Sequence, residues 1–310
     1  MDLYYYRYAS MTKLLLDSGD PQEYEEISLL LKEKGIELWG STTNPSLIAK
    51  KIADSGKKLT QEEAFTLQKE IILAIIKIVP GAVSGEVYAD QTTTAEHMVE
   101  QGRVIASWHP QVVVKLPTTI EGFKARTLLR KEGIGINNTL VFSQEQVFAI
   151  CLHEKLMQSL YVTAKSGFPA FISPFLGRLD DKGEDGIVFL ENAQKIQKLF
   201  QEKTTWMLAA SIRNTYHLKK CFDLQSNLIT APAKVYKEWF SMSKDEQALV
   251  KNPLPNLTAI EAWTPSEDLQ QISSVDIFME TLTSKKLDIS HPLTTAGIDK
   301  FVADWQTILK

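Results

Sequence analysis

Cysteine is nearly absent from this chain: Cys151 and Cys221 are the only two among 310 residues. Neither stands in a metal-ligand spacing, and two cysteines cannot staple a secreted scaffold, so a reducing, cytoplasmic setting is expected. Long apolar runs are missing as well, since none reaches the ~20 residues that cross a bilayer, and a membrane partner is not expected. The opening Met1-Asp-Leu-Tyr-Tyr-Tyr-Arg-Tyr8 lacks the apolar core and small-residue cleavage site of a secretory signal. Met11 follows closely, so residues 1–11 are expected to be a loosely held extension. Positive charge is not concentrated anywhere; the net charge is −4, and no basic block points to nucleic acid. No Gly-x-Gly-x-x-Gly follows the first strand-like run, which removes the usual signal for a doubly wound, dinucleotide-binding sheet.

What the chain does have is alternation. Composition is that of an ordinary globular protein, 44% hydrophobic and 23% charged. Short apolar runs predict strands at Lys13–Asp17, Ile36–Thr43, Ala82–Tyr88, Val112–Pro117, Ile134–Phe142, Ala170–Leu176, Trp206–Ile212 and Asn227–Ala231. Amphipathic stretches between them predict helices at Glu23–Lys34, Pro45–Ser55, Gln61–Ile78, Thr93–Ser107, Ile120–Lys131, Gln144–Lys165, Asn192–Lys203 and Asn214–Asp223. Eight such alternations imply a parallel sheet with right-handed crossovers, and the count suits a single (β/α)8 TIM barrel. Beyond it, 243–310 is read as a C-terminal helical extension: a polar linker holding Pro253 and Pro255, then a final helix over Ala296–Ile308. One domain over 1–310 is expected.

Lys115 is the most telling residue. It closes the valine run in Gln111-Val-Val-Val-Lys-Leu-Pro-Thr-Thr119, a pattern that reads as a strand buried on both faces. Lysine is rarely buried without a partner or a use, and an amine freed of its proton is a nucleophile toward carbonyl carbon. The bland alternative is a lysine at a strand end reaching into solvent. Other strands argue against it. Asp17 ends the first strand; Thr42 and Asn44 share a face on the second, Ser84 and Glu86 on the third. Asn137 and Thr139 share one on the fifth, Ser173 and Phe175 on the sixth, Ser211 and Arg213 on the seventh. Helix caps could account for one polar strand end, but not for a run of them at the C-terminal ends, where a barrel builds its active site. The joint reading is a site for aldehydes or ketones around an amine.

These segments resemble the transaldolase family. The resemblance is carried by Gly40-Ser-Thr-Thr-Asn-Pro-Ser-Leu-Ile48, Ser84-Gly-Glu-Val87, Val114-Lys-Leu-Pro-Thr118, Gly133-Ile-Gly-Ile-Asn-Asn-Thr-Leu-Val-Phe-Ser143, Ile172-Ser-Pro-Phe-Leu-Gly-Arg178 and Ala209-Ala-Ser-Ile-Arg-Asn214. The stretch from His291-Pro-Leu to Trp305 looks like the family's terminal helix. The resemblance implies an enzyme that moves a dihydroxyacetone unit from a ketose phosphate to an aldose phosphate, with no metal or organic cofactor. Its partners would be sugar-phosphate substrates, and homo-oligomer assembly is left open. Lys115 would form the Schiff base, Asp17 would exchange the proton of the C4 hydroxyl, and Glu86 with Thr139 would hold a proton-shuttling water. Asn44 and Asn137 would hold the hydroxyls of the dihydroxyacetone portion, with Ser173 near the same end; Thr42 and Phe175 would also bind substrate, Phe175 near the Schiff base, and Arg178, Ser211 and Arg213 would bind the phosphate.

Departures from the family pattern are few. Asn138 stands where an apolar residue is usual; strand parity with Thr139 assigns the inward position to Asn137. The segment 153–171 is bulkier than usual, which bears on a subunit contact, and Leu179–Gly186 reads as a short acidic loop. Fructose-6-phosphate aldolases, which release free dihydroxyacetone, resemble this chain too, but carry glutamine and tyrosine where Glu86 and Phe175 stand. Both residues therefore favour transfer over release.

Overall fold

A computed structural model describes residues 12–53, 56, 58–158, 160, 167–200 and 204–310. Eight parallel strands close a barrel in chain order, with β1 paired to β2 on one side and β8 on the other. They are β1 Lys13–Asp17, β2 Leu38–Thr42, β3 Val83–Glu86, β4 Val112–Pro117, β5 Ile136–Val141, β6 Ala170–Pro174, β7 Thr205–Ala209 and β8 Leu228–Ala231. Between and after them lie α1 Pro21–Glu33, α2 Pro45–Ala53, α3 Gln61–Ile76, α4 Ala95–Ser107, α5 Ile120–Lys131, α6 Gln144–Met157, α7 Leu176–Asp180, α8 Gly186–Lys198, α9 Thr215–Asp223 and α10 Ala233–Ser241. The result is the expected (β/α)8 TIM barrel. The expected extension over 1–11, with its tyrosines, and the positions 159 and 161–166 within the bulky 153–171 segment lie outside the described residues.

Local chemistry sets the element boundaries. Asp20 starts α1 by accepting from the Gln22 amide at 3.1 Å, and Pro21 fits the first helical position, which needs no N–H. Thr60 with Glu63, and Ser143 with Gln146, form capping boxes at the starts of α3 and α6. Strands β4 and β5 are buried along their whole length because helices cover their outer faces and side chains fill the interior.

The interior sorts by depth. Leu15, Trp39, Ala82, Val113, Phe171, Leu208 and Leu228 form an apolar layer toward the N-terminal end of the barrel. Two residues further along, on the same face of their strands, stand Asp17, Lys115, Ser173 and Thr230. The period of two thus converts a hydrophobic floor into a polar mouth within one pleat. A larger apolar cluster lies between the barrel and its helices.

After β8 the sequence reading needs correction. The expected polar linker contains α11 Lys244–Leu249, α12 Glu267–Gln270 and α13 Val275–Thr283, ahead of α14 Pro292–Gln306. Helices of six and four residues give too few turns for a hydrophobic period to show, whereas α13, at nine residues, is as long as α2 and α9 and is hidden by no such shortness. Likewise, the expected acidic loop over Leu179–Gly186 begins inside α7. The last helix, α14, packs against α2 and β5 and so lies over the mouth of the barrel. Gly297 permits this approach: a Cβ there would lie 2.6 Å from Arg178 Nη1 and from Leu140 Cδ2.

Candidate active site

A cavity of about 440 Å³ opens at the C-terminal mouth, lined by residues of β1, β2, β4 and β6–β8 or their following loops and by α14. Lys115 reaches it from inside the barrel. It is the fourth residue of the six-residue β4 and is 3% exposed, which removes the solvent-facing alternative. Its Nζ donates to the Thr43 carbonyl oxygen at 3.0 Å and lies 2.9 Å from Glu86 Oε2. That pairing follows from the β3–β4 register, which sets Glu86 beside Lys115. The ring of Phe301, from α14, lies 5.7 Å from the amine.

Asp17 stands across the floor. Thr42 Oγ1 donates to its Oδ1 at 2.7 Å, and Thr42 in turn contacts Thr230 at 2.6 Å. The helix-capping role that a turn carboxylate could have had is filled by Asp20 instead. Burial pushes the Asp17 carboxyl above its ordinary value, opposed by the charge of Lys115, the Thr42 hydrogen bond, and Arg178 and Arg213. Burial also raises Glu86, against the pull of Lys115. Two carboxyls shifted upward beside a lysine amine are suited to moving protons closer to neutrality than free carboxylates do.

Parity on β5 comes out as expected. Ser173 Oγ donates to Asn137 Oδ1 at 2.6 Å, and Asn137 Nδ2 donates to Ser84 Oγ at 3.0 Å, while Asn138 donates away to the Phe171 carbonyl at 2.7 Å. Thr139 Oγ1 is fully buried and has no hydrogen-bond partner among the described residues. Asn44 faces the cavity and uses its Oδ1 to accept from the Leu47 amide at 3.0 Å, starting α2.

The rim is cationic. The Arg178 guanidinium lies 5.2 Å from the ring of Phe175 and 5.2 Å from that of Phe301, held between two aromatic faces. Among the described residues no carboxylate forms an ion pair with it. Asp180 instead contacts His217 at 2.6 Å and accepts from the Gly186 amide, and Asp181 pairs with Arg213 at 2.9 Å. Burial and the neighbouring Arg213 charge both push Arg178 downward, a tension that a bound anion relieves. Ser211 takes a left-handed φ of 57° just before Arg213, a conformation that costs a non-glycine residue about 1–2 kcal/mol.

Of the residues singled out in the sequence, Asp17, Thr42, Asn44, Lys115, Ser173, Phe175, Arg178, Ser211 and Arg213 line one cavity. Glu86 stands behind Lys115 at 2.9 Å, whereas Asn137 and Thr139 are buried in the barrel and do not line that cavity. Sequence reading passed over Ser46, Lys50, Thr230, Lys300 and Phe301, which also line it. Thr230 was within reach of the parity rule applied to the eighth strand. His109, tempting beside the lysine strand, accepts from the Gln111 amide at the opposite end of β4.

Fold and site together define a (β/α)8-barrel enzyme centred on a buried lysine. The chain belongs to the transaldolase/fructose-6-phosphate aldolase family, whose model matches residues 14–310. A "probable transaldolase" of Lachnoclostridium phytofermentans is 37% identical over 296 residues, 96% of this chain and 98% of that protein. One from Thermus thermophilus is 38% identical over 245 residues, covering 79% and 93% of the two chains, and one from Herpetosiphon aurantiacus is 32% identical over 296 residues, 96% of each. Among the described residues no helix is long and apolar enough to cross a membrane.

Proposed function

We propose that the chain is a transaldolase, carrying a dihydroxyacetone unit from sedoheptulose 7-phosphate or fructose 6-phosphate to glyceraldehyde 3-phosphate or erythrose 4-phosphate, in the pentose phosphate pathway. The observation that carries this reading is Lys115 Nζ, 2.9 Å from Glu86, facing a cavity whose rim holds Arg178 and Arg213. The amine adds to the ketose carbonyl. The carbinolamine oxygen then leaves as water after protonation, with Glu86 as the proton source through a water held between it and Thr139. The buried, unpartnered Thr139 hydroxyl supports that role.

In the imine, Asp17 takes the proton of the C4 hydroxyl. The C3–C4 bond breaks and its electron pair moves into the imine to give an enamine, while the aldose phosphate leaves. An acceptor aldose takes the same place; C–C bond formation uses the enamine electrons, Asp17 returns the proton, and hydrolysis frees Lys115. Asn44 and Ser173 orient the hydroxyls of the three-carbon unit, with Asn137, which accepts from Ser173, supporting that end from within the barrel. Arg178, Ser211 and Arg213 hold the phosphate, with Arg213 exchanging an exposed ion pair to Asp181 that is worth little by itself. Both arginines offer forked, charge-assisted bonds suited to that group.

Phe175 supports transfer over aldolase release: its ring packs against Phe142 at 5.7 Å and under Arg178, presenting no donor to a water near the imine. Coupled assays of fructose 6-phosphate with and without erythrose 4-phosphate test the reading. Turnover should depend on the acceptor, and Phe175→Tyr should raise free dihydroxyacetone by about tenfold, the ~1.4 kcal/mol scale of one hydrogen bond. Steady release of dihydroxyacetone by the parent protein without acceptor would replace transaldolase with the aldolase reading.

A further inference from the structure

Thr230 lies on β8, 2% exposed, and lines the cavity. Its Oγ1 is 2.6 Å from Thr42 Oγ1, which is itself 2.7 Å from Asp17 Oδ1, so three side chains from β8, β2 and β1 form one line. Each hydroxyl has one hydrogen to give and lone pairs to accept, whereas an ionised carboxylate only accepts. While Asp17 is ionised, Thr42 must spend its hydrogen on Oδ1, and the short contact with Thr230 is satisfied only if Thr230 donates. When Oδ1 carries a proton the order reverses: the carboxyl donates to Thr42, Thr42 donates to Thr230, and Thr230 turns its hydrogen toward the cavity. No covalent bond changes beyond the protonation of Asp17; two hydroxyls rotate.

We propose that Thr230 is a positioning residue whose hydroxyl completes a reversible chain through Thr42, keeping Asp17 hydrogen-bonded both as carboxylate and as acid. The proposal rests on Asp17 as the base of C–C cleavage. Valine keeps the shape of threonine and leaves the Thr42 bond to the carboxylate intact. In the ionised state it removes the donation from Thr230 and leaves only a spare lone pair on Thr42, whereas once Asp17 is protonated it strands the Thr42 hydrogen, so the larger cost falls on the state that cleavage creates.

The experiment compares Thr230→Val, Thr230→Ser and Asp17→Asn with the parent in two measurements. Borohydride trapping with dihydroxyacetone reports imine formation without a C–C step, and turnover of fructose 6-phosphate with erythrose 4-phosphate reports cleavage. Thr230→Val should trap at the parental rate, turn over about tenfold more slowly, as loss of one hydrogen bond in the reacting state predicts, and keep its KM. Thr230→Ser should restore turnover. Parental turnover in Thr230→Val, equal slowing of trapping and turnover, or failure of serine to rescue would each overturn the proposal. Asp17→Asn with undiminished turnover would overturn the base assignment itself, whatever the Thr230 variants do.

Discussion

Lys115, Glu86 and Asp17 inside the barrel can be set beside Arg126, Arg130 and Glu154, where α5 meets α6 and a second knot of charge is buried. Arg126, Arg130 and Glu154 are 1%, 2% and 0% exposed, as hidden as the residues of the site. Arg126 Nη2 donates to Glu154 Oε2 at 2.6 Å, and Arg130 donates to Oε1, so the carboxylate is forked between two guanidiniums. His153 beside them is held well below its ordinary value by burial and by the two arginine charges. The difference lies in what the charges can reach. In the helix pair, each Glu154 carboxylate oxygen is committed to an arginine, and the group joins two elements of the fold. In the barrel, Lys115 and Asp17 face an open cavity, and among the described residues the Thr139 hydroxyl is left without a hydrogen-bond partner. Buried charge alone does not mark a site; access to a cavity does.

The largest expected effects fall on the site. Lys115→Ala should abolish the three-carbon adduct seen by mass spectrometry after borohydride reduction and lower turnover by about 10⁴-fold or more, the scale on which loss of a covalent nucleophile acts. Its folding stability should change less than that of the helix pair, because Glu86, already raised by burial, can take up a proton when its partner is removed, whereas an arginine cannot shed its charge. An adduct on another lysine, with Lys115→Ala still active, would erase the distinction between the two clusters.

Glu154→Gln should do the converse. It removes the carboxylate charge that Arg126 and Arg130 share, and breaking a buried pair in this way costs about 3–5 kcal/mol of stability. Denaturant unfolding should register that loss, while the fraction that remains folded traps dihydroxyacetone on Lys115 at the parental rate. A stable Glu154→Gln with slowed trapping would mean that the helix pair belongs to the functional machinery.

The two clusters also differ in how they are written in the sequence. Lys115 interrupts a run of valines, so its oddity is visible within seven residues, and the neighbouring strand ends repeat the same polar parity. Arg126 and Arg130 are four apart on a helix, the spacing of an ordinary solvated face, and Glu154 lies a whole β–α unit away. Their burial comes from packing of one helix against the next and has no local signature. The same holds for Phe301: it reads as one apolar residue of an amphipathic terminal helix, and only closure of α14 over the mouth sets its ring against Lys115 and Arg178. Strand parity distinguishes Asn137 from Asn138 and sets Asn137 inward, yet parity carries no sign that Ser84 and Ser173 already occupy its side chain. Strand content was legible because period two is local; the short helices α11–α13 and the roof of the site were not, since tertiary contacts define them.

The smallest expected effect separates the clusters by titration. Asp17 is raised above its ordinary value near 3.8 by burial, and the Thr42 hydrogen bond opposes that shift by stabilising the ionised form. Activity requires the ionised carboxylate, so kcat/KM should fall on the acid side as pH drops through the Asp17 pKa, at a pH above the ordinary carboxylate range. Thr42→Val removes the opposing bond and should move that acid limb upward, by about one pH unit if the lost bond is worth about 1.4 kcal/mol. The sign is fixed: loss of a donor to the carboxylate makes the acid form more favourable, so a higher pH is needed to reach the active state. Glu154→Gln lies outside this circuit and should leave the limb where it is. A downward movement in Thr42→Val, or none, would show that Thr42 does not tune Asp17 and that the acid limb belongs to another group, with Glu86 the next carboxyl to replace.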